Sequence, residues 1–161
     1  MAVTQHQKNI ARARGLSNVN QMVAAADKAS IIFPAACALM EKESRGRNVY
    51  GGDAGGMLSG FPFNVTEANF RAFWWEVSSG RQSNGVGPAQ ITYRGFFADM
   101  IRDGLDPWDV EDNMFKGFDI IETYKQNANG SWAQAGTWYN GSEGYGTDFA
   151  AKVKQWREWL S

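Results

Sequence analysis

The chain has one cysteine and one histidine among 161 residues, and these two scarcities together exclude several chemistries. Cys37 has no partner for an internal disulfide, and its place in the apolar run "FPAACALM" reads as a buried, inert thiol of a chain made in a reducing cytosol. His6 stands alone near the N-terminus with no metal-ligand spacing, so no metal site is expected. Neither a Cys-His nor a Ser-His-Asp set nor a phosphate-binding glycine loop is available, and no cofactor is expected. Long apolar runs are missing as well. Nothing approaches the roughly 18 apolar residues of a membrane span, and the basic stretch "MAVTQHQKNIARARGLS" leads into no apolar segment that would make it a signal peptide. An excess of either charge is also missing. With 16 Lys and Arg against 17 Asp and Glu, no strong field exists to hold nucleic acid or an anionic membrane by charge alone, so neither is expected as a partner.

Aromatic residues are plentiful: seven Trp, ten Phe and five Tyr. Large rings dominate burial energetics, so most are expected in the core, while a few can line a cleft in which the flat CH faces of sugar rings stack on indole. The length fits one domain with a single core. Residues 1–16 read as a loosely docked N-terminal extension and 17–161 as the domain proper. "SNVNQMVAAADKAS" spaces Val19, Met22, Val23 and Ala26 on one helical face, with Ser17 or Asn18 as N-cap. A second helix begins near Pro34, which the first turn tolerates. In "TEANFRAFWWEVSSG", Thr66 is a candidate N-cap, Phe70, Phe73, Trp74 and Val77 form a face, and Gly80 is the stop. Four further helices follow in "RGFFADMIRDG", "EDNMFKGFDIIETYKQNANG", "SWAQAGTWYNG" and "TDFAAKVKQWREWL". Strand alternation is missing, although residues 48–63 admit a short hairpin. A mainly α domain is expected, with two glycine-rich excursions, "RGRNVYGGDAGGMLSGFPFN" and "NGVGPAQIT", walling a groove.

"ALMEKES" puts two glutamates two positions apart at the end of the second of these helices. A helix turns roughly 100° per residue, so Ala36, Leu39, Met40 and Glu43 share a face while Glu41 points nearly the opposite way. The pair therefore does not act on one substrate. Glu43 is expected to turn inward and Glu41 to be a surface charge. A carboxyl held beside Leu and Met has its charged form penalised and its pKa raised, which suits a proton donor near neutral pH. Such a group can protonate the leaving oxygen of a glycosidic bond. The plainer reading makes Glu43 a solvent-facing helix end or a partner of Arg45 or Arg47.

"EKES" at a helix end, "GVGPAQIT" in a turn and "GTWYNG" at another helix end stand between residues 41 and 141. In this order they resemble the goose-type lysozyme and lytic transglycosylase group, whose pattern is a helix ending in Glu-Ser, a Gly-x-x-Gln turn and a Tyr-Asn-x-Gly element. "RARGL", "GRNVYG", "EDNM" and "WYNG" extend the similarity to lysozyme-like domains of endolysins from phages of actinobacteria. The resemblance implies a lysozyme-like fold and cleavage of the β-1,4 bond between N-acetylmuramic acid and N-acetylglucosamine in peptidoglycan by a monomer. It also implies an export route, since such lysins reach the wall after another phage protein permeabilises the membrane.

Carried over by residue, the resemblance makes Glu43 the catalytic acid and Ser44 the serine that can hold the helix end. Gln90 becomes a glutamine able to bond sugar amides and hydroxyls, and Tyr139 a phenol near the catalytic carboxyl, followed by Asn140. Trp138 departs from the small residue usual before that tyrosine. Gln90 in a plain structural turn and Tyr139 in the core are the simpler alternatives. Asp53 can supply the second carboxylate of an inverting hydrolase, or cap a turn in "GGDAGG". A lytic transglycosylase needs no second carboxylate, because the muramyl 6-hydroxyl replaces water. Trp74 and Trp75 are adjacent on one helix and diverge by about 100°, so one of them is expected to border the sugar groove. A non-catalytic glycan-binding module and a virion-associated wall hydrolase are the competing functions.

Overall fold

The computed structural model describes residues 2–59 and 64–161. Their regular structure is helical: α1 (Gln5–Ala13), α2 (Val19–Ala29), α3 (Phe33–Glu43), α4 (Glu67–Ser78), α5 (Arg94–Arg102), α6 (Val110–Asn127), α7 (Trp132–Asn140) and α8 (Glu143–Leu160). Seven of these eight are the helices that apolar spacing and caps anticipate. Among the described residues no helix is long and apolar enough to cross a membrane.

The exception is α1. Residues 2–15 do not fray: Thr4 and Gln7 form a reciprocal capping box. Ala11 and Leu16 are buried, the Arg14 guanidinium lies 3.3 Å from the Trp159 ring centroid, and Gln7 Nε2 donates to the Leu160 carbonyl at 2.9 Å. Few of these anchors are apolar, which is why hydrophobic spacing does not reveal them.

The centre of the molecule is α3. Every residue from Ala35 to Met40 is fully buried, so the helix is enclosed on all sides rather than amphipathic. It packs on α8 and α2, while α6 packs on α2 and α7, and α7 lies along α8. The anticipated caps of α2 and α4 differ in kind. Thr66 closes a full capping box with Asn69, whereas Asn18 takes the N-cap position of α2 without a capping bond and donates its amide to the Gly46 carbonyl instead.

A second packing centre is aromatic. Phe70 and Phe73 on α4 meet Phe97 on α5, flanked by Tyr50 and Trp108, with ring centroids 5.4 to 6.2 Å apart. The two glycine-rich excursions run between this cluster and α3. The hairpin admitted over 48–63 is not a pair of strands in its described part. It is an isolated bridge, Val49 to Asn64, and residues 60–63 lie outside the described residues. Further bridges join Tyr50 to Val86 and Val86 to Ile91, tying the two excursions to each other.

Candidate active site

Where α3 ends, the excursions leave a groove of about 800 Å³, lined by Glu43, Ser44, Arg47, Val49, Tyr50, Gly51, Gln90 and neighbouring residues. That size falls within the range of roughly 300–1,000 Å³ usual for ligand sites. Glu43 is the last residue of α3 and the one acid among the described residues lining this groove. Burial is the main influence on its carboxyl and pushes the pKa up to about 7; nearby Asp53 adds to the rise, while Tyr145 and Lys42 oppose it.

The opposing pair comes from the packing of α8 on α3. The Tyr145 hydroxyl donates a hydrogen bond to Glu43 Oε1. Lys42, itself only 12% exposed, pairs with Asp148 and sits 4.3 Å from the Tyr145 ring centroid. The first turns of α8 therefore present a phenol to the acid and hold that phenol beneath an ammonium group.

Gln90 adopts a left-handed backbone, φ +52°. Its side-chain amide donates to the carbonyls of Val49 and Gly87, each at 2.9 Å, which leaves Oε1 as its acceptor for a ligand. Close approach explains two of the flanking glycines: a Cβ at Gly51 or Gly85 would lie 2.2 or 2.5 Å from that oxygen. Asp53 is exposed on the first excursion, and its Oδ2 accepts from the Gly85 N–H at 2.5 Å, linking one excursion to the other beside Glu43.

Several sequence-derived candidates sit elsewhere or do something else. Ser44 is buried and its hydroxyl is fully engaged, donating to the Pro88 carbonyl at 2.7 Å and accepting from Gly46 N–H at 3.1 Å. Tyr139 donates to the Ala89 carbonyl at 2.7 Å, not to Glu43; burial, and after it the Glu43 charge, raises its pKa. The phenol that bonds the Glu43 carboxyl is Tyr145 instead. Asn140 is exposed at the end of α7 and does not line the groove. Trp75 is 74% exposed, and Trp74 lies in a separate cleft with Phe70, Ile101 and Trp108, so neither tryptophan borders the groove. Glu41 is not a solvated charge: it accepts from the buried Trp156 indole N–H at 2.7 Å and from Lys152 at 3.2 Å, stapling α3 to α8.

The turn carrying Gln90 is the meeting point of the motifs. Ser44 from α3 and Tyr139 from α7 bond its carbonyls. Fully buried Asn113 of α6, the asparagine of "EDNM", accepts from Ala89 N–H and donates to the Val86 carbonyl. Sequence reasoning passed over Asn113 and Tyr145. For Asn113 the signal was there, in a motif quoted without a role; for Tyr145 there was none, since it is 102 residues from its partner. Among the described residues, no three His, Cys, Asp or Glu side chains gather to hold a metal ion.

No protein-family model, curated protein or solved structure matches this chain.

Proposed function

We propose that this chain cleaves the glycan strand of peptidoglycan at the β-1,4 bond between N-acetylmuramic acid and N-acetylglucosamine, as a lysozyme-like phage endolysin with Glu43 as general acid. The observation that carries the reading is a carboxyl at the wall of a sugar-sized groove whose pKa of about 7 keeps much of it protonated near neutrality. The convergence of Ser44, Asn113 and Tyr139 on the Gln90 turn adds support, because separate motifs there share one structural task.

In this mechanism Glu43 gives its proton to the glycosidic oxygen as the bond to the muramyl anomeric carbon breaks and that carbon gains oxocarbenium character. Gln90 Oε1 accepts from a sugar hydroxyl or amide. Water then adds to the anomeric carbon, losing a proton to Asp53, and the departing sugar keeps the proton that Glu43 supplied. The hydrogen bond from Gly85 to Asp53 favours this version, since it steadies a carboxylate near Glu43. A second version is favoured by the environment of Glu43. A carboxyl poised near pH 7 can donate and then recover a proton, which suffices for attack by the muramyl 6-hydroxyl and a 1,6-anhydro product. Mass spectrometry separates the two: after reduction, hydrolysis products exceed anhydro products by the mass of one water and two hydrogens.

Glu43→Gln is the decisive variant. Its rate of clearing purified cell walls should fall by about 100-fold or more, while its pelleting with wall fragments persists. Unchanged clearing would overturn the assignment and favour a wall-binding module.

A further inference from the structure

Arg47 is the one cation among the described residues lining the groove, and hydrogen bonds hold the backbone around it. After α3 the chain turns through two left-handed residues, Arg45 at φ +59° and Gly46 at φ +81°. Gly46 is obligatory there: besides its torsion, a Cβ would meet the Ser17 carbonyl oxygen at 2.3 Å. Four bonds close the turn: Ser17 N–H to the Arg45 carbonyl at 2.8 Å, Asn18 Nδ2 to the Gly46 carbonyl at 2.8 Å, Gly46 N–H to Ser44 Oγ at 3.1 Å, and Arg47 N–H to the Ser44 carbonyl at 3.3 Å. The side chain is anchored as well, Arg47 Nε donating to the Ser44 carbonyl at 2.9 Å.

That anchor uses one of the five guanidinium N–H donors. Among the described residues no carboxylate lies within ion-pair distance of Arg47, whereas Arg71 and Arg81 each pair with one and Arg102 with two. A fixed guanidinium with unspent parallel donors is built for an oxygen anion. Along a peptidoglycan strand the sugar rings offer neutral hydroxyls and acetamides, and the carboxylates hang from the muramyl lactyl arm.

We propose that Arg47 is a specificity residue, binding a carboxylate carried on the muramyl arm and thereby setting which sugar of the strand meets Glu43. This rests on the peptidoglycan-cleaving reading. The carboxylate is either the lactyl group itself or one borne by an attached stem peptide. Recognition at this point makes the groove prefer muramyl strands to neutral chitin-type oligomers.

The test reads binding on Glu43→Gln protein, which holds strands uncut, alone and with Arg47→Ala or Arg47→Lys added. Three oligomers are titrated by calorimetry: strands bearing stem peptides, the same strands stripped by an amidase to the free lactyl carboxylate, and neutral chitooligosaccharides. Arg47→Ala should lower the ratio of muramyl to neutral affinity by roughly tenfold or more, with partial recovery in Arg47→Lys. A fall confined to peptide-bearing strands identifies the stem carboxylate; a fall that includes stripped strands identifies the lactyl group. An unchanged ratio, or an equal loss for all three oligomers, overturns the assignment. Wall clearing by Glu43→Gln without the second change tests the underlying reading separately: clearing that persists removes that reading, while lost clearing with an unchanged ratio removes only the role of Arg47.

Discussion

Glu43 and Tyr145 form a donor and acceptor pair whose two effects on acidity oppose each other. Burial raises the carboxyl to about 7, and the phenol O–H, by donating to the ionised form, pulls it back. A general acid must be protonated, so kcat/KM should decline as pH rises through about 7. Removing the phenol in Tyr145→Phe removes a lowering influence, so the Glu43 pKa rises and the alkaline limb of the profile moves to higher pH, by about one unit. A pH profile of wall cleavage for both proteins checks this; an unmoved limb would mean that Tyr145 does not govern the acid. At the same scale the expectation that burial at the end of α3 raises the Glu43 pKa agrees with the structure. The sequence was misread on Glu41, because helical geometry says which way a side chain leaves its helix but not what waits there. Trp156 and Lys152 wait for Glu41.

Among the elements, the contact between α7 and α8 decides where Tyr145 stands. The two helices meet through glycine: a Cβ at Gly146 would lie 2.1 Å from the Ala133 carbonyl oxygen and 2.2 Å from Thr137 Oγ1, and one at Gly136 would lie 2.9 Å from Gly146 Cα. Backbone atoms of Ala133 and Thr137 occupy that space beside the Thr137 hydroxyl, so the helices cannot absorb a methyl group without separating. Gly146→Ala should therefore cost about 1–3 kcal/mol by urea unfolding. It should also lower wall cleavage in the fraction that stays folded, because Tyr145 is displaced from Glu43. Stability equal to that of the parent protein would contradict the close crossing. The helices themselves were readable in sequence from spacing and caps, as "TEANF" shows at α4. The glycines of "GTWYNGSEGYG" were visible too, but their spacing looks like loop composition until the two helices are laid side by side.

For the whole molecule, the N-terminal helix is the part whose weight is least apparent. It closes over the end of α8 through Gln7 and Arg14 and buries Ala11 and Leu16. Deleting residues 2–16 should lower the unfolding temperature by several degrees, about what a loss of 1–2 kcal/mol produces in a chain of this size. An unchanged transition by circular dichroism would return the segment to the status of a loose extension. The deletion exposes the flank of α2 and α8 while leaving Glu43 and Tyr145 in place, so activity at low temperature should survive better than thermal stability.

The sequence by itself determined that the chain is mainly helical, where seven of the helices run, and that Glu43, at the end of an apolar helix, is the carboxyl to suspect. Those are properties of neighbours within a turn or two, and spacing along the chain reports them faithfully. Only the tertiary structure decided that α3 is enclosed on all sides, that Tyr145 and not Tyr139 meets the acid, that the two tryptophans face away from the groove, and that Arg47 faces into it. Each of those outcomes depends on which distant backbone or side chain fills the space opposite, and that is set by helix packing across about a hundred residues, not by the local order of amino acids.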